Sequence, residues 1–249
     1  MNLTDIICGK VNELSSEESI NLEKIVGRLQ KAEPVQYVLG KADFAGRIFH
    51  IEPGVLIPRP ETAELCKWIT HEHRESQKQI LDVCTGSGCI AITLGLDIRD
   101  SEVTGWDISA DALRIAKNNT AMLGARNVVM EYKDALNLPN DQAKWDIIVS
   151  NPPYICEKEK AGMEKNVLEH EPSLALFVPD EDPLRFYRSI ARYAARALKP
   201  EGKLYFEINP VYEGAMREML EDEGFNNTQT KMDAFGKKRM MRAENKNNL

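Results

Sequence analysis

The sequence predicts an α/β protein built on a doubly wound, mostly parallel sheet of seven strands. From Gln79 onward, short apolar runs alternate with segments whose apolar residues recur at helical spacing. That alternation is typical of a parallel sheet covered by helices on both faces. The composition, with 43% hydrophobic and 29% charged residues among 249, is ordinary for a globular domain that buries a sizeable core.

The region before the sheet is predicted to contain helices and a hairpin. Apolar residues recur at helical spacing through residues 1–33, and Ser15–Glu18 offers an N-cap with an acidic first turn. Pro34 ends this helical stretch. Val35–Leu39 and Arg47–Ile51 are then predicted to be two strands of a hairpin, joined through Gly40–Gly46.

The remaining chain supplies the sheet and its helices. The predicted strands, in order, are Ile80–Val83, Val103–Asp107, Val128–Met130, Trp145–Ser150, Lys203–Ile208, Thr228–Met232 and Arg239–Arg242. Helices are predicted up to about Glu75, through Ile90–Leu94, from Ala110 to about Leu123, from about Pro183 to Leu198, and over Gly214–Glu223. We therefore expect a short helical segment at 1–33, a β-hairpin linker at 34–55 and the main domain at 56–249, with a frayed tail after 243.

Charge and cysteine content limit the classes of function. The net charge of −7 argues against a large nucleic-acid footprint. No apolar run reaches the length of a membrane span and the N-terminus lacks the features of a signal peptide, so we expect a cytoplasmic protein. The five cysteines show neither a disulfide framework nor metal-ligand spacing, and we expect free thiols and no metal site.

A glycine-bearing turn follows the first sheet strand. Gly86 and Gly88 lack a Cβ, so the backbone can approach a ligand closely between that strand and the next helix. Asp107 ends the second strand about twenty residues later, the spacing at which a carboxylate can hold ribose hydroxyls. The turn lacks the full dinucleotide fingerprint, and no Lys-Ser or Lys-Thr follows to reach phosphates. A nucleoside cofactor without a diphosphate, S-adenosylmethionine, fits the pattern that remains.

A polar elbow, Asn151-Pro152-Pro153-Tyr154, follows the apolar run Trp145–Ser150. Each proline lacks an N–H and forces the preceding residue into an extended conformation. The elbow therefore offers acceptors, the Asn151 carboxamide and the Pro152 carbonyl, beside the aromatic face of Tyr154. These groups suit a planar group that carries an NH2, either an amide or an aromatic amine. An ordinary proline turn at a strand end is the alternative interpretation.

Four stretches together carry a family resemblance. They are Pro34–Tyr37 with the following hairpin, Ile57–Thr62, the glycine turn leading to Asp107, and Ser150–Tyr154 with the downstream Glu171–Leu176. With these stretches the chain resembles the class I S-adenosylmethionine-dependent methyltransferases, which have a Rossmann-like fold, and among them the peptide chain release factor glutamine methyltransferases. The resemblance extends from about residue 34 to the C-terminus.

The resemblance implies methylation of the side-chain amide of the glutamine in the Gly-Gly-Gln motif of release factors, with S-adenosyl-L-homocysteine as product. It assigns 56–249 as the methyltransferase domain, Asn151, Pro152 and Tyr154 as catalytic, and Asn151–Tyr154, with Pro153, as the glutamine site. The implied cofactor-binding residues are Cys84, Thr85, Gly86, Ser87, Gly88, Asp107, Asp134, Ala135 and Asn151. A monomer that acts on a release factor is expected, with no membrane or direct nucleic-acid partner. The chain departs from the family at Cys84, where glycine is usual, and in a shorter N-terminal helical region.

Two other functions fit parts of the sequence. An adenine-directed DNA or rRNA amino-methyltransferase would present a flipped base to the same elbow. Arg185, Arg188, Arg192 and Arg196 lie at helical spacing and would suit such a substrate, although a solvated helix face explains the same spacing. A non-catalytic binding protein on the same scaffold is the third possibility; the elbow and Asp107 argue against it.

Overall fold

The structure is a computed structural model that describes residues 15–73 and 77–245. The helices are α1 (Ser16–Leu29), α2 (Val35–Leu39), α3 (Pro60–His73), α4 (Cys89–Asp97), α5 (Ala110–Met122), α6 (Lys165–His170), α7 (Ser173–Leu176), α8 (Arg185–Ala197) and α9 (Glu213–Asp222). The strands are β1 (Lys41–Phe44), β2 (Arg47–His50), β3 (Gln79–Val83), β4 (Glu102–Asp107), β5 (Val128–Tyr132), β6 (Trp145–Ser150), β7 (Ile155–Cys156), β8 (Phe177–Val178), β9 (Leu198–Glu207), β10 (Phe225–Met232) and β11 (Lys238–Asn245).

Seven strands form one sheet in the order β10-β11-β9-β6-β3-β4-β5. The strands from β9 to β5 are parallel to one another, and β11 runs antiparallel to both of its neighbours. The predicted doubly wound, mostly parallel sheet is therefore confirmed. Because β3 pairs with β4 on one side and with β6 on the other, the strand order reverses at β3. Ligands of open α/β sheets bind at such a reversal, beyond the carboxyl ends of the strands.

Each face of the sheet carries its own hydrophobic core. Along β6, Ile147 and Val149 pack toward α3, α4 and α5, whereas Ile148 packs toward α8 and α9. All three side chains are fully buried. Burying a side chain of this size stabilises the fold by about 1.5–3 kcal/mol. The alternation explains why this strand appears in the sequence as an unbroken apolar run.

The hairpin differs from the prediction at its first strand. Val35–Leu39 was predicted as a strand and is the short helix α2, so that prediction was wrong. Pro34 stands at the N-cap, and Gly40 ends the helix in the left-handed region, at φ +69°, where its N–H donates to the Gln36 carbonyl. The hairpin instead pairs β1 with β2.

The N-terminal helix α1 begins with the predicted cap. Ser15 and Glu18 form a capping box, in which each side chain accepts from the other residue's backbone N–H. No residue of α1 is buried among the described part of the chain. Arg28 connects α1 to α2, because it donates to the Glu33 carboxylate between them and to the carbonyls of Tyr37 and Val38. Residues 1–14, on which part of the helical prediction falls, lie outside the described residues.

The segment between β6 and α8 was predicted as one long loop and contains five short elements: β7, a 3-10 helix at Glu157–Gly162, α6, α7 and β8. β7 and β8 pair in parallel, which brings the two ends of the segment together. At the C-terminus, residues 244 and 245 belong to β11 rather than to a frayed tail, and the last four residues lie outside the described part. Of the helices described, none combines the length and apolarity that a bilayer span requires.

Candidate active site

The site lies where β3 and β6 end side by side. Val83 of β3 is the register partner of Ser150 of β6, and the Ser150 hydroxyl donates to the Val83 carbonyl at 2.6 Å. The next residues on the two strands, Cys84 and Asn151, therefore leave the sheet at the same edge. The glycine turn and the Asn-Pro-Pro-Tyr elbow, distant in sequence, are brought together by this register.

The glycine turn has a left-handed backbone at three positions. Cys84, Gly86 and Gly88 have φ values of +63°, +54° and +81°. A Cβ at Gly88 would crowd the side chains of Ile92 and Met130 at 3.0 Å, and the left-handed conformation also favours glycine there. A Cβ at Gly86 would meet nothing within 4 Å. The turn is thus closely packed beneath and open above Gly86.

Asp82 holds the turn from below. Its Oδ2 accepts from the Thr85 hydroxyl at 2.6 Å and from the Ala91 N–H at 3.2 Å, which joins the turn to the start of α4. The side chain is fully buried, and its Oδ1 has no partner among the described residues. Desolvation raises the pKa of Asp82 to about 7, against the hydrogen bonds from Thr85 and Ala91.

Asp107 joins the turn to the end of β4. Its Oδ2 accepts from the Gly86 N–H at 2.9 Å, and its Oδ1 accepts from the Ser109 N–H, also at 2.9 Å. Burial raises the pKa of Asp107 and the backbone hydrogen bonds oppose the rise. The carboxylate therefore lies beside the most open part of the turn, at the place predicted for a group that holds a ribose diol.

A cavity of about 250 Å³ lies over the turn. Its lining includes the predicted cofactor residues Cys84, Thr85, Gly86, Ser87, Asp107, Asp134, Ala135 and Asn151. Gly88, the N-cap of α4, is not in the lining. Ala135 is held by α8, where the Ser189 hydroxyl donates to its carbonyl at 2.6 Å. Further walls come from Leu56, Arg59, Thr62, Leu174 and Phe186, which the sequence analysis did not assign.

A second cavity, of about 230 Å³, adjoins the first. Its lining includes Tyr154 and Glu207. Both cavities are lined by Leu56, Arg59, Asn151 and Ala175. Of the predicted elbow residues, Asn151 therefore borders both spaces, Pro153 the first and Tyr154 the second. Pro152 is buried and lines neither.

Asn151 is held by its amide nitrogen. Its Nδ2 donates to the Thr62 hydroxyl oxygen at 3.3 Å, and Thr62 in turn donates to Glu207 Oε2 at 2.5 Å. The other oxygen of Glu207 accepts from the Tyr154 hydroxyl at 3.0 Å. In the described part of the chain nothing donates to Asn151 Oδ1, so this acceptor is available to a ligand.

The segment 157–176 covers the site through one ion pair. Arg59, just before α3, donates to Glu171, whose second carboxylate oxygen accepts from the Ile57 N–H at 3.1 Å. This pairing joins two of the stretches that carry the family resemblance.

Over residues 15–73 and 77–245, no cluster of three or more His, Cys, Asp or Glu side chains is placed to hold a metal ion.

Three residues of this network were missing from the predicted site, namely Thr62, Glu171 and Glu207. Each is at most 5% exposed. The available signal was an acidic residue in a buried setting: Glu207 ends an apolar strand, and Glu171 precedes Pro172. A charged group is rarely buried without a partner, so such a position indicates a network.

Comparisons with known proteins agree with this geometry. A family model described as a methyltransferase domain matches residues 74–248. The release factor glutamine methyltransferase of Bacteroides thetaiotaomicron is 50% identical over 240 residues, which cover 96% of this chain and 86% of that protein. That of Flavobacterium psychrophilum is 40% identical over 242 residues, covering 96% and 85%.

A solved structure supports the fold alone. The ribosomal protein L11 methylase of Lactobacillus delbrueckii subsp. bulgaricus superposes with a TM-score of 0.54 at 19% identity, covering 78% of this chain and 81% of that one. Fold, paired cavities and close relatives thus agree, and the chain belongs to the methyltransferase-domain family and, within it, to the release factor glutamine methyltransferases.

Proposed function

We propose that this enzyme transfers a methyl group from S-adenosylmethionine to the side-chain amide nitrogen of the glutamine in the Gly-Gly-Gln motif of peptide chain release factors. One observation carries the proposal. Two cavities meet at Asn151, whose Nδ2 is held by Thr62 while its Oδ1 is available. A cofactor in one cavity and an amide in the other would meet at that acceptor. Since release factors act in translation, we place the reaction in the cytoplasm.

The residues of the first cavity fit S-adenosylmethionine. The open space over Gly86 can accommodate the amino-acid part of the cofactor, and the Asp107 carboxylate is placed to accept from the ribose hydroxyls. When bound, the cofactor supplies a methyl group made electrophilic by its sulfonium.

The elbow must make an amide nitrogen nucleophilic. The nitrogen lone pair of an amide is delocalised into its carbonyl, so the amide has to be held in one orientation. Asn151 Oδ1 would accept one amide hydrogen, which helps direct the lone pair toward the first cavity, whereas Pro152, expected from the sequence to accept the other hydrogen, lines neither cavity. Fixed dipoles of this kind also stabilise the positive charge that builds on nitrogen as the new bond forms.

Tyr154 limits how the amide can lie. Its hydroxyl is held by Glu207, so the ring has a fixed position at the wall of the second cavity. A planar amide can pack against the face of that ring. The alkylated nitrogen is acidic and its proton can pass to water, so the reaction requires no strong base from the protein.

The arginine stripe on α8 favours the nucleic-acid alternative less than its spacing alone suggests. Three members of the arginine stripe on α8 are paired: Arg188 with Asp182 at 2.9 Å, Arg192 with Glu223 at 2.8 Å, and Arg196 with the Pro139 carbonyl at 3.0 Å. Phosphate contacts need basic groups that can exchange counterions for the nucleic acid. The stripe is better explained as a solvated helix face.

Radiolabelled methyl transfer tests the proposal. Purified release factor, the same protein with the motif glutamine changed to alanine, duplex DNA and rRNA are compared as acceptors. We expect label only on the unaltered release factor, with the methyl group on the glutamine side chain by mass spectrometry. Label on adenine in DNA or rRNA, or on the altered release factor, would contradict the proposal.

A further inference from the structure

Glu207 lies beside Asn151 because of the strand register. Ser150 of β6 pairs with Phe206 of the parallel neighbour β9, so Asn151 and Glu207 are the next residues on the two strands. Glu207 is 2% exposed, and the Tyr187 hydroxyl donates to its backbone carbonyl at 2.9 Å. The carboxylate is therefore fixed at the carboxyl edge of the sheet, away from water.

The two hydrogen bonds to Glu207 determine the direction of a third. Thr62 and Tyr154 each donate a hydroxyl hydrogen to the carboxylate. A hydroxyl has only one hydrogen, so the Thr62 oxygen is left as an acceptor toward Asn151. Since both oxygens of Glu207 accept and the Thr62 hydrogen is used in one of these bonds, it is the NH2 end of the Asn151 carboxamide that faces Thr62. Burial raises the pKa of Glu207, while hydrogen bonds from Thr62 and Tyr154 and the charge of Arg239 oppose the rise.

We propose that Glu207 and Thr62 are positioning residues that set the orientation of the Asn151 carboxamide, with Nδ2 toward Thr62 and Oδ1 toward the substrate. The inference rests on the proposed function, since Oδ1 would accept a hydrogen bond from the NH2 of the substrate amide. If the Asn151 carboxamide were rotated by half a turn, its N–H groups would face the N–H groups of the substrate, and no hydrogen bond could form between them. The chain from Glu207 through Thr62 to Asn151 excludes that unproductive orientation before the substrate binds.

Variants of Thr62 directly test the hydrogen-bond chain from Glu207 to Asn151. Thr62→Val keeps the shape and removes the acceptor, so we expect kcat for release factor methylation to fall by about tenfold to a hundredfold with little change in KM. Thr62→Ser keeps the hydroxyl and should restore the rate. Thr93→Val is a matched control, since Thr93 is also buried, at 1% exposure against 2% for Thr62, and lies outside both cavities.

A double variant tests the direction of the hydrogen bonds. In Asn151→Asp, two carboxylates compete for the single Thr62 hydrogen. Adding Glu207→Gln lets Nε2 donate to the Thr62 oxygen, so that Thr62 can donate to Asp at position 151. Glu207→Gln alone should lower kcat, yet it should raise the kcat of Asn151→Asp by about fivefold or more. Additive losses in the double variant would overturn the inference.

A measurement without substrate separates this inference from the proposed function. Hydrogen exchange of the Asn151 side-chain NH2 is followed by NMR, with its signals assigned by their loss in Asn151→Asp. We expect faster exchange in Thr62→Val and parent-like exchange in Thr62→Ser. If the Thr62 variants behave in this way but the parent protein does not methylate release factor, the proposed function is refuted and the hydrogen-bond chain from Glu207 through Thr62 to Asn151 is supported. If the parent protein methylates release factor and Thr62→Val shows either the parent's exchange rate or the parent's kcat, the proposed role of this hydrogen-bond chain is overturned.

Discussion

Arg59 and Glu171 form an ion pair that connects the start of α3 to the segment covering the carboxyl edge of the sheet. The Glu171 side chain is 1% exposed, whereas that of Arg59 is 34% exposed. Arg59 also lines both cavities. One buried carboxylate thus fixes the cationic wall shared by the two spaces and holds the covering segment in place.

Removing this carboxylate should loosen the cover. In Glu171→Ala, Arg59 and the Ile57 N–H lose their acceptor, and breaking a largely buried pair is strongly destabilising. We expect S-adenosylmethionine affinity, measured by calorimetry, to weaken by about tenfold, together with faster limited proteolysis within 157–176. Glu169→Ala, two residues earlier and exposed, is the control. Parent-like affinity in Glu171→Ala would show that the pair does not hold the cofactor cavity closed.

Asp107→Ala should weaken cofactor binding. The variant removes the acceptor predicted for the ribose diol and releases the Gly86 N–H. Losing a charge-assisted hydrogen bond costs about 1.5–3 kcal/mol, so the Kd for S-adenosylmethionine should rise by roughly tenfold to a hundredfold. Asp111→Ala, an exposed carboxylate on α5, should bind like the parent. An unchanged Kd in Asp107→Ala would remove Asp107 from the cofactor site.

Asn151→Ala should reduce chemistry more than binding. The loss of one oriented acceptor costs about a hundredfold or more in kcat. Asn151→Asp keeps an acceptor but adds charge near the sulfonium, which also stabilises the ground state, so its rate should lie between those of the Ala variant and the parent. Single-turnover methylation of release factor measures all three, with Asn140→Ala as an exposed control. An Ala variant within about threefold of the parent would exclude Asn151 as the amide-orienting residue.

Cys84 carries backbone strain that can be measured. It occupies the left-handed region at φ +63° with a Cβ, where glycine is tolerated more readily. Cys84→Gly and Cys84→Ala both remove the sulfur, but only the glycine removes the strain. We expect the glycine variant to be more stable to urea than the alanine variant by about 1 kcal/mol. Equal stabilities would mean that the turn relaxes around the side chain.

Asp82 should make stability fall as pH rises. Its folded-state pKa, about 7, is above the usual value of 3.8, so the folded protein binds this proton more tightly than the unfolded chain. The stabilisation is complete below pH 3.8 and is lost as pH rises through 7. Between pH 5 and 7.5 the loss amounts to about 2.5 kcal/mol.

The variant Asp82→Asn isolates this effect. It retains an acceptor for Thr85 and Ala91 but does not titrate, so its free energy of unfolding should lack this part of the pH dependence. Urea denaturation of both proteins at several pH values gives the difference. Parallel curves for the parent and the variant would contradict the raised pKa.

The sheet and both turns could be predicted because their signals are local. Parallel strands buried on two faces appear as apolar runs, and the glycines and prolines mark the places where the chain leaves the sheet. Val35–Leu39 was assigned wrongly because β-branched residues favoured a strand, whereas the flanking Pro34 and Gly40 form the ends of a helix. The two-residue strands β7 and β8 are too short to produce a periodic signal.

The supporting network could not be predicted because it depends on contacts distant in sequence. Thr62 and Glu207 are 145 positions apart, and Arg59 and Glu171 are 112 apart. Local patterns identify which residues end a strand, but not which strand ends meet. That information comes from the sheet order and the register, which only the folded chain shows.

The register between β6 and β9 also bears on where this chain can accept insertions. Ser150 and Phe206 are register partners, and the side chains of the proposed hydrogen-bond chain, Asn151 and Glu207, follow them by one residue. Surface connections generally tolerate added residues. Extra length within the connection between these two strands would leave their ends aligned. A single residue added inside either strand would reverse which face its side chains occupy and separate Asn151 from Glu207. Natural variation in length should therefore accumulate between the strands and be absent within them.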